Sequence, residues 1–498
     1  MDNDVPSDPQ PQAVSLAQQT AVGSTYTIAA SAFTLVIGFS RSILLARLLF
    51  PEDFGLFALA FFFVRLLERV QMFGFTAAFI HRRQHTAEDA AAHFILRMGS
   101  AILVVGLALA IAPLLGYFYP NDPLLAQVVI VITAVRLTMA FNDTPKTILT
   151  KQMQFRRLAV LRVGGSLVAL FLTGWLAWQG AGVWSLVAQD FCFFMVELAG
   201  LWFFRRPWKL SLKTRWETIK WYFEFGKFHL VAKNIQVLLD TFDDFWVGTF
   251  LGNTSLGFYA KAYEFAQYPR AVVADPINSV FFPAFARLQN DRQRLSRAFF
   301  RSASLLVRVG FLLAGAFVFV TPEFVRLFLG NKWLPMQQTF QLMLIYTLLD
   351  PLLALASQLV FAKGQPKLLA KIQTWQMIVF IPLVIVASHF FGIEGVAVAA
   401  DLMLVIGFIF LVPRLRAFVD FSLRQLMVMP LLALAVALVG AGWISSLLPT
   451  LHTAVSLVQK GLIVSVIYIT LLLIFEREQV KKSGEMIQQL LHNRSGSS

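Results

Sequence analysis

Residues 26–83 read YTIAASAFTLVIGFSRSILLA, RLLFPEDF, GLFALAFFFVRLLERVQMFGFTAAFI and HRR. An apolar run (26–46) meets a short turn holding Pro51, Glu52 and Asp53. A second apolar run (55–80) follows, and then a basic loop that opens on Arg82 and Arg83. A helix of about twenty residues crosses a hydrocarbon core about 30 Å thick, and short loops rich in Lys and Arg stay on the cytoplasmic face. The unit is therefore one helix leaving the cytoplasm and one returning to it.

The same unit repeats along the chain. Fourteen such spans are expected, at 26–46, 55–80, 98–118, 124–141, 158–178, 183–204, 222–250, 256–282, 299–320, 340–361, 375–391, 395–411, 426–448 and 455–475. Loops after even-numbered spans carry the cations, in segments 82–97, 146–162, 205–220, 287–301, 363–371 and 414–424, with more in the C-terminal tail. The opposite loops hold only Arg47, Arg326 and Lys332. This asymmetry predicts a multi-pass membrane protein with both termini in the cytoplasm.

Composition agrees. A chain of 498 residues that is 57% hydrophobic and 14% charged, with a mean hydropathy of +0.67, lies outside the soluble range. The net charge of +14 sits mostly beside membrane spans, where it meets an anionic leaflet, so nucleic acid is not an expected partner. Cys192 is the one cysteine, which excludes an internal disulfide and reads as a core thiol. The polar N-terminal stretch has no basic run before the first span, so that span is expected to remain in the mature protein.

The turn Leu49-Phe50-Pro51-Glu52-Asp53-Phe54-Gly55-Leu56-Phe57-Ala58-Leu59-Ala60 and the turn Leu251-Gly252-Asn253-Thr254-Ser255-Leu256-Gly257-Phe258-Tyr259-Ala260-Lys261-Ala262 share Leu, Gly, an aromatic, Ala and Ala at one constant offset. Both follow odd spans and fall on one membrane face. This predicts a parallel repeat of spans one to six and seven to twelve about an axis along the membrane normal. The resulting plan is an all-α protein. It has a disordered tail (1–21), an N-lobe (22–204), a basic linker (205–220) on which the lobes would pivot, and a C-lobe (221–417). Two further spans (418–476) and a cytoplasmic tail (477–498) complete it.

Ionisable groups inside spans cost roughly 2.5 to 3.5 kcal/mol each on insertion scales, so they face water or a partner. They concentrate in spans one, two, seven and eight, with Arg41, Arg65, Glu68, Arg69, Lys233, Asp240, Asp243, Asp244, Lys261, Glu264, Arg270 and Asp275. Arg136, Asp190, Asp350 and Asp401 lie elsewhere. Lys233, Gln236, Asp240 and Asp244 share a helix face, as do Lys261, Glu264, Tyr268 and Asp275, which suggests a cavity between the lobes. Alternatives stand beside that reading. Arg65, Glu68 and Arg69 have the spacing of an internal ion pair, Asp240, Asp243 and Asp244 also suit a membrane interface, and Arg97, Arg162 and Arg308 suit anchors that snorkel outward.

Pro269, Pro276 and Pro283 recur at intervals of seven in the eighth span, each removing a backbone donor. A hinge at Pro269 and Pro276, beside Arg270, is the expectation. No phosphate-binding loop, metal-binding histidine pair, nucleophile elbow or paired cysteine is present, so no catalytic residue, cofactor or metal is expected. No external loop has room for a catalytic domain.

The stretch SILLARLLFPEDFG (42–55), followed by FGFTAAFIHRR (73–83), resembles the opening of the polysaccharide-transport (Wzx-like) lipid-linked oligosaccharide flippases. These belong to the multidrug/oligosaccharidyl-lipid/polysaccharide exporter (MOP) superfamily. Residues 244–259, the segment FFPAFARLQ (281–289) and LGNKW (329–333) are similar to that family's second lobe. The resemblance implies two six-helix lobes in a V with two C-terminal helices outside them, alternating access, and a substrate built on polyprenyl diphosphate for exopolysaccharide, O-antigen or capsule. Cavity arginines in the first, second and eighth spans of such flippases correspond by span to Arg41, to Arg65 or Arg69, and to Arg270. Lys233 and Lys261 add cations, while Asp240, Asp244 and Glu264 are the candidates for ion coupling. The resemblance also implies the bacterial inner (plasma) membrane, and the expected partners are the lipid-linked oligosaccharide, membrane lipids, and polysaccharide polymerase and export machinery. A drug/cation antiporter of the same superfamily and a membrane polysaccharide polymerase or ligase are the rival readings; the first would favour an acidic cavity, the second a long external loop.

Overall fold

The computed structural model describes residues 16–71, 74–82, 86–204, 206–224, 239–448, 452–479 and 481, and among them every regular element is helical. The N-lobe holds α1 (Leu16–Leu48), α2 (Pro51–Leu67), the short α3 (Phe75–His81), α4 (Ala87–Phe118), α5 (Leu125–Lys151), α6 (Phe155–Trp178) and α7 (Val183–Leu198). The C-lobe holds α8 (Phe242–Trp246), α9 (Asn253–Leu288), α10 (Arg292–Phe324), α11 (Gln337–Ala362) and α12 (Pro366–Leu415). Two more helices, α13 (Met429–Leu447) and α14 (Thr453–Phe475), follow.

Ten helices among the described residues are long and apolar enough to cross a membrane. One of them, α12, contains two expected spans, because at Gly392 (φ 58°, ψ −136°) the chain folds back on itself. The turn is tight enough for Gln376 Nε2 to donate to the carbonyl of Met403 at 3.1 Å across it. The count of fourteen is not reproduced. The crossing expected over 55–80 breaks where Glu68 and Arg69 interrupt the apolar run: α2 gives way to a 3-10 turn, Glu68–Gln71, and α3 starts after Gly74 at φ 64°, a conformation open chiefly to glycine. About half of the seventh expected span, 225–238, lies outside the described residues. The eighth is one unbroken helix through Pro269 and Pro276, too rich in charge to rank as an apolar crossing.

Local chemistry sets the helix ends that matter. Pro51 occupies the first turn of α2, with Glu52 and Asp53 beside it, and the Asp53 carboxylate accepts from the Phe50 backbone N–H at 3.1 Å, so acid meets the positive end of the helix dipole. Gly252 (φ 87°) makes the corresponding turn into α9.

The lobes touch most closely where these two helices begin. A Cβ placed on Gly55 would lie 1.8 Å from the carbonyl oxygen of Asn253, and one on Gly257 would lie 1.8 Å from that of Pro51. Only glycine allows backbones so near. Gly55 and Gly257 are equivalent positions of the repeat, as are Pro51 and Asn253, so the contact is reciprocal. It is the contact that a two-fold axis between α2 and α9 produces.

The packed core divides accordingly. One cluster spans both lobes at the cation-poor end, with Leu45, Leu59, Val64, Leu256, Tyr259, Phe265 and Trp333 fully buried. Toward the cation-rich end the buried clusters are separate. One lies within the C-lobe and its two following helices, around Phe285, Phe299, Leu355 and Tyr468. The others lie within the N-lobe, around Phe79 and Tyr222 and around Leu149 and Trp202. Joined cores at one end and parted cores at the other make a V that opens on the cation-rich face.

The described part of the linker expected as a pivot, 206–220, is docked on the N-lobe together with 221–224, the first residues expected in the C-lobe. Trp208, Ile219 and Trp221 pack on Phe75, Phe79 and Ala90. Glu88 accepts from the Arg215 backbone N–H and Nε, each at 3.1 Å, and from Thr218 Oγ1 at 2.8 Å.

Candidate functional site

The charged residues expected in the cavity fall into an N-lobe group and a C-lobe group that meet along α1, α2 and α9. Arg136, in α5, lies about 16 Å along that helix from its cation-poor end at 1.5 Å per residue. Its Nε stands 3.5 Å from Glu68 Oε1 and its Nη2 3.6 Å from Asp190 Oδ2 of α7. Arg136 and Arg65 both lie over the ring of Phe61, with Cζ to centroid distances of 5.2 and 4.8 Å. Arg69 sits on the 3-10 turn beside Glu68.

Arg41 connects the groups. It is half-buried on α1, within electrostatic reach of Asp190 in its own lobe and of Glu264 in the other. Arg65 stands in the same relation to Asp244. Glu68, Arg136, Asp190, Arg41, Glu264 and Lys261 thus alternate in sign from one lobe to the other. Lys261 ends this series in dry packing: it is 4% exposed, donates to Glu264 Oε2 at 2.7 Å and to Ser42 Oγ across the lobe boundary at 2.9 Å, and lies over the Phe54 ring at 4.1 Å. It holds the lobes together.

Arg270 pairs with Asp350 of α11 (Nε to Oδ2, 2.8 Å) and donates from Nη1 to Gln267 at 3.1 Å. The two line a cavity of about 340 Å³ within the C-lobe, with Asp240, Tyr346, Gln373 and Gln376. Asp243 accepts from Tyr259 OH at 2.7 Å, next to half-buried Asp244. Among the described residues the C-lobe wall is therefore acidic apart from Arg270 and Lys261, while the N-lobe wall is led by arginines. Lys233 lies outside the described residues.

Pairing is where sequence reasoning fell short. Arg136, Asp190 and Asp350 were recognisable as intramembrane charges but not as partners, because partnership depends on which faces of distant helices meet. The expected anchors also have partners: Arg97 Nε lies 2.6 Å from Asp143 Oδ2, and Arg308 Nη2 lies 2.7 Å from Glu476 Oε2. Cys192 is buried.

A helical V of two lobes with a charged seam and two additional C-terminal helices defines the MOP-type membrane fold. The chain belongs to the polysaccharide biosynthesis protein family, whose model matches residues 44–338. It is 22% identical over 398 residues to the lipopolysaccharide biosynthesis protein WzxC of Escherichia coli (strain K12), covering 79% of this chain and 80% of that protein. It is 29% identical over 300 residues to the succinoglycan biosynthesis transport protein ExoT of Rhizobium meliloti (strain 1021), covering 58% of each. Among solved structures it resembles the lipid II flippase MurJ in an inward closed conformation, with a TM-score of 0.69 at 15% identity over 92% of this chain and 99% of that one. An inward-facing multidrug resistance MATE family transporter of the MOP superfamily gives 0.52 at 14% identity over 80% and 95%.

Proposed function

We propose that this protein carries polyprenyl-diphosphate-linked oligosaccharide units from the cytoplasmic to the periplasmic leaflet by alternating access between its lobes, and that it is a carrier and not an enzyme. The observation that carries the reading is the arginine-led wall at membrane depth, Arg41, Arg65 and Arg136, inside a V that opens on the cation-rich face. A diphosphate and its sugars cannot shed water into hydrocarbon. Guanidinium groups answer phosphate oxygens two at a time, and Gln and Tyr side chains such as those of the C-lobe cavity suit sugar hydroxyls. The names of WzxC, ExoT and MurJ support the same substrate class.

With the cation-rich face in the cytoplasm, the V is loaded from the side where such precursors carry their charge. Moving about two negative charges outward down a membrane potential releases roughly 2.3 kcal/mol per charge per 100 mV, about 4 to 5 kcal/mol in all. The acidic C-lobe wall of Asp240, Asp244 and Asp350 favours an added coupling to a cation. Pro269 and Pro276 are the proposed flexing points of α9 as the lobes rock.

Reconstitution in liposomes with a polyprenyl-diphosphate oligosaccharide, scoring sugar exposed on the far leaflet, tests this. Arg41→Ala and Arg270→Ala should stop export while membrane insertion stays normal. Wild-type export by both variants would overturn the cationic-cavity model.

A further inference from the structure

Among the described residues, four helical arginines whose side chains are less than a third exposed lie within 4 Å of a carboxylate, and one is held differently from the rest. Arg97, Arg270 and Arg308 hold a carboxylate oxygen at 2.6, 2.8 and 2.7 Å, the range of a charge-assisted contact. Arg136 stands between two carboxylates and grips neither, at 3.5 Å from Glu68 and 3.6 Å from Asp190. Its Nε is buried without a hydrogen-bond partner among the described residues, as are Arg270 Nε and Arg308 Nη2, so what sets Arg136 apart is its distance from both carboxylates. Its Nη1 reaches only the sulfur of Met139, at 3.7 Å.

A guanidinium has five donors in a rigid fork, and burying one unsatisfied is costly. Arg136 is nevertheless open to a ligand: its side chain keeps 16% exposure, and those of Glu68 and Asp190 keep 20% and 26%. Arg65 shares the Phe61 ring with it, which brings a second guanidinium to the same place. Two forks at one aromatic ring match an anion with two phosphoryl groups, and two carboxylates beyond bonding length neutralise the site without filling it.

Resting on the transport reading, we propose that Arg136, with Arg65 beside it, receives the diphosphate of the substrate, and that Glu68 and Asp190 are resting counter-ions which the diphosphate displaces. Because Asp190 is also within electrostatic reach of Arg41, and Arg41 of Glu264, an Asp190 displaced from Arg136 turns to Arg41 and competes there with Glu264. Loading of the N-lobe is thereby felt in the C-lobe.

The two kinds of substitution should act in opposite directions. In nanodiscs, binding of polyprenyl diphosphate is compared with polyprenol and with inorganic pyrophosphate. Wild-type protein should prefer the diphosphate lipid to polyprenol by about tenfold or more, and free pyrophosphate, lacking the lipid, should bind more weakly at the same residues. Arg136→Gln should lose about tenfold in affinity, with Arg136→Lys intermediate because it keeps the charge and loses the fork. Asp190→Asn and Glu68→Gln should bind about threefold more tightly, since a competing anion is gone. Unchanged affinity in Arg136→Gln, or weaker binding in both carboxylate variants, overturns the assignment of Arg136 and leaves the transport reading intact. Failure of the wild-type protein to prefer the diphosphate lipid overturns the transport reading and this assignment together. Should Arg136→Gln not fold, the carboxylate variants decide alone, tighter binding supporting the assignment and unchanged or weaker binding refuting it.

Discussion

Arg47 of α1 donates from Nε to the carbonyl of Phe328 at 2.7 Å, across the lobe boundary, and from Nη2 to that of Leu327. Phe328 lies in a π-helical turn, Val325–Leu329, that continues α10, so Arg47 caps the negative end of a helix in the other lobe. The favour is returned. Lys332 donates to the carbonyls of Arg47 and Leu49 at 2.9 and 2.6 Å, and Trp333 Nε1 donates to Ala46 at 2.8 Å, capping α1. Two of the three cations on the cation-poor face are thus spent on a mutual lock.

Breaking that lock should let the cation-poor face open. Hydrogen bonds to a charged donor contribute about 1.5 to 3 kcal/mol each, so Arg47→Ala with Lys332→Ala shifts the balance toward the outward-open state by about tenfold or more. In a Cys192→Ser background, a cysteine placed at Ser42, which is 4% exposed where the lobes meet and about 7.5 Å deeper along α1 than Arg47 at 1.5 Å per residue, should react faster with an impermeant thiol reagent added to the periplasmic side. An unchanged labelling rate counts against the lock.

The glycine pair predicts symmetric damage. A methyl group at either position meets carbonyl oxygen at 1.8 Å, so the helices must part, and overpacking of this kind costs about 1 to 3 kcal/mol. Gly55→Ala and Gly257→Ala should lower the melting temperature in detergent by similar amounts. A drop confined to one of them contradicts the reciprocal contact.

Docking of the linker should depend on pH only in strong acid. Hydrogen bonds from Arg215 and Thr218 hold Glu88 down to about 2, from an ordinary value of 4.5. A carboxylate with a lowered folded value stabilises fully above its unfolded value and loses that effect as pH falls from about 4.5 through about 2. Hydrogen exchange in 206–224 should therefore be flat from pH 5 to 8 once corrected for intrinsic rates, with protection falling below pH 4. Glu88→Gln should raise exchange at pH 7 and abolish the acid step; an acid step that survives in this variant rules Glu88 out as its cause.

The pair Arg308–Glu476 is 4% and 9% exposed and ties the end of α14 to α10, with Tyr468 OH donating to the Arg308 carbonyl at 3.1 Å. Removing one member leaves a buried charge, which costs about 3 to 5 kcal/mol. Arg308→Leu and Glu476→Leu should each melt well below wild type, and the double variant should recover most of the loss. Additive losses in the double variant would show that the charges act independently.

Much of the fold was legible because hydropathy reports burial in lipid directly. The spans over 98–118, 158–178 and 299–320 each lie inside one helix of the structure, and the two flanking Gly392 were separable because glycine and the rhythm of apolar runs coincide there. The break of the second span was not visible, since Phe73, Phe75 and Phe79 keep hydropathy high across Gly74. The charges showed which residues lie within spans, while Arg270–Asp350 and Arg136–Asp190 required knowing which helix faces meet, and spacing along one helix holds no such information. Lys261 was read as a cavity cation for the same reason; its partner Glu264 is local, but the Phe54 ring and Ser42 that enclose it come from the other lobe. The linker 205–220 reads as a pivot because its basic residues dominate, whereas Trp208 and Ile219 fasten it to the N-lobe.

The mutual fit of Gly55 and Gly257 also bears on ancestry. A contact in which each side presents the same patch to the other is isologous, the kind that two copies of one chain form on pairing. Two identical six-helix units meeting in this way would have made a homodimer with equal walls, each as basic as the other. Joining them in a single polypeptide let one wall keep its arginines while the other gathered aspartates, a division of labour that no symmetric pair can achieve.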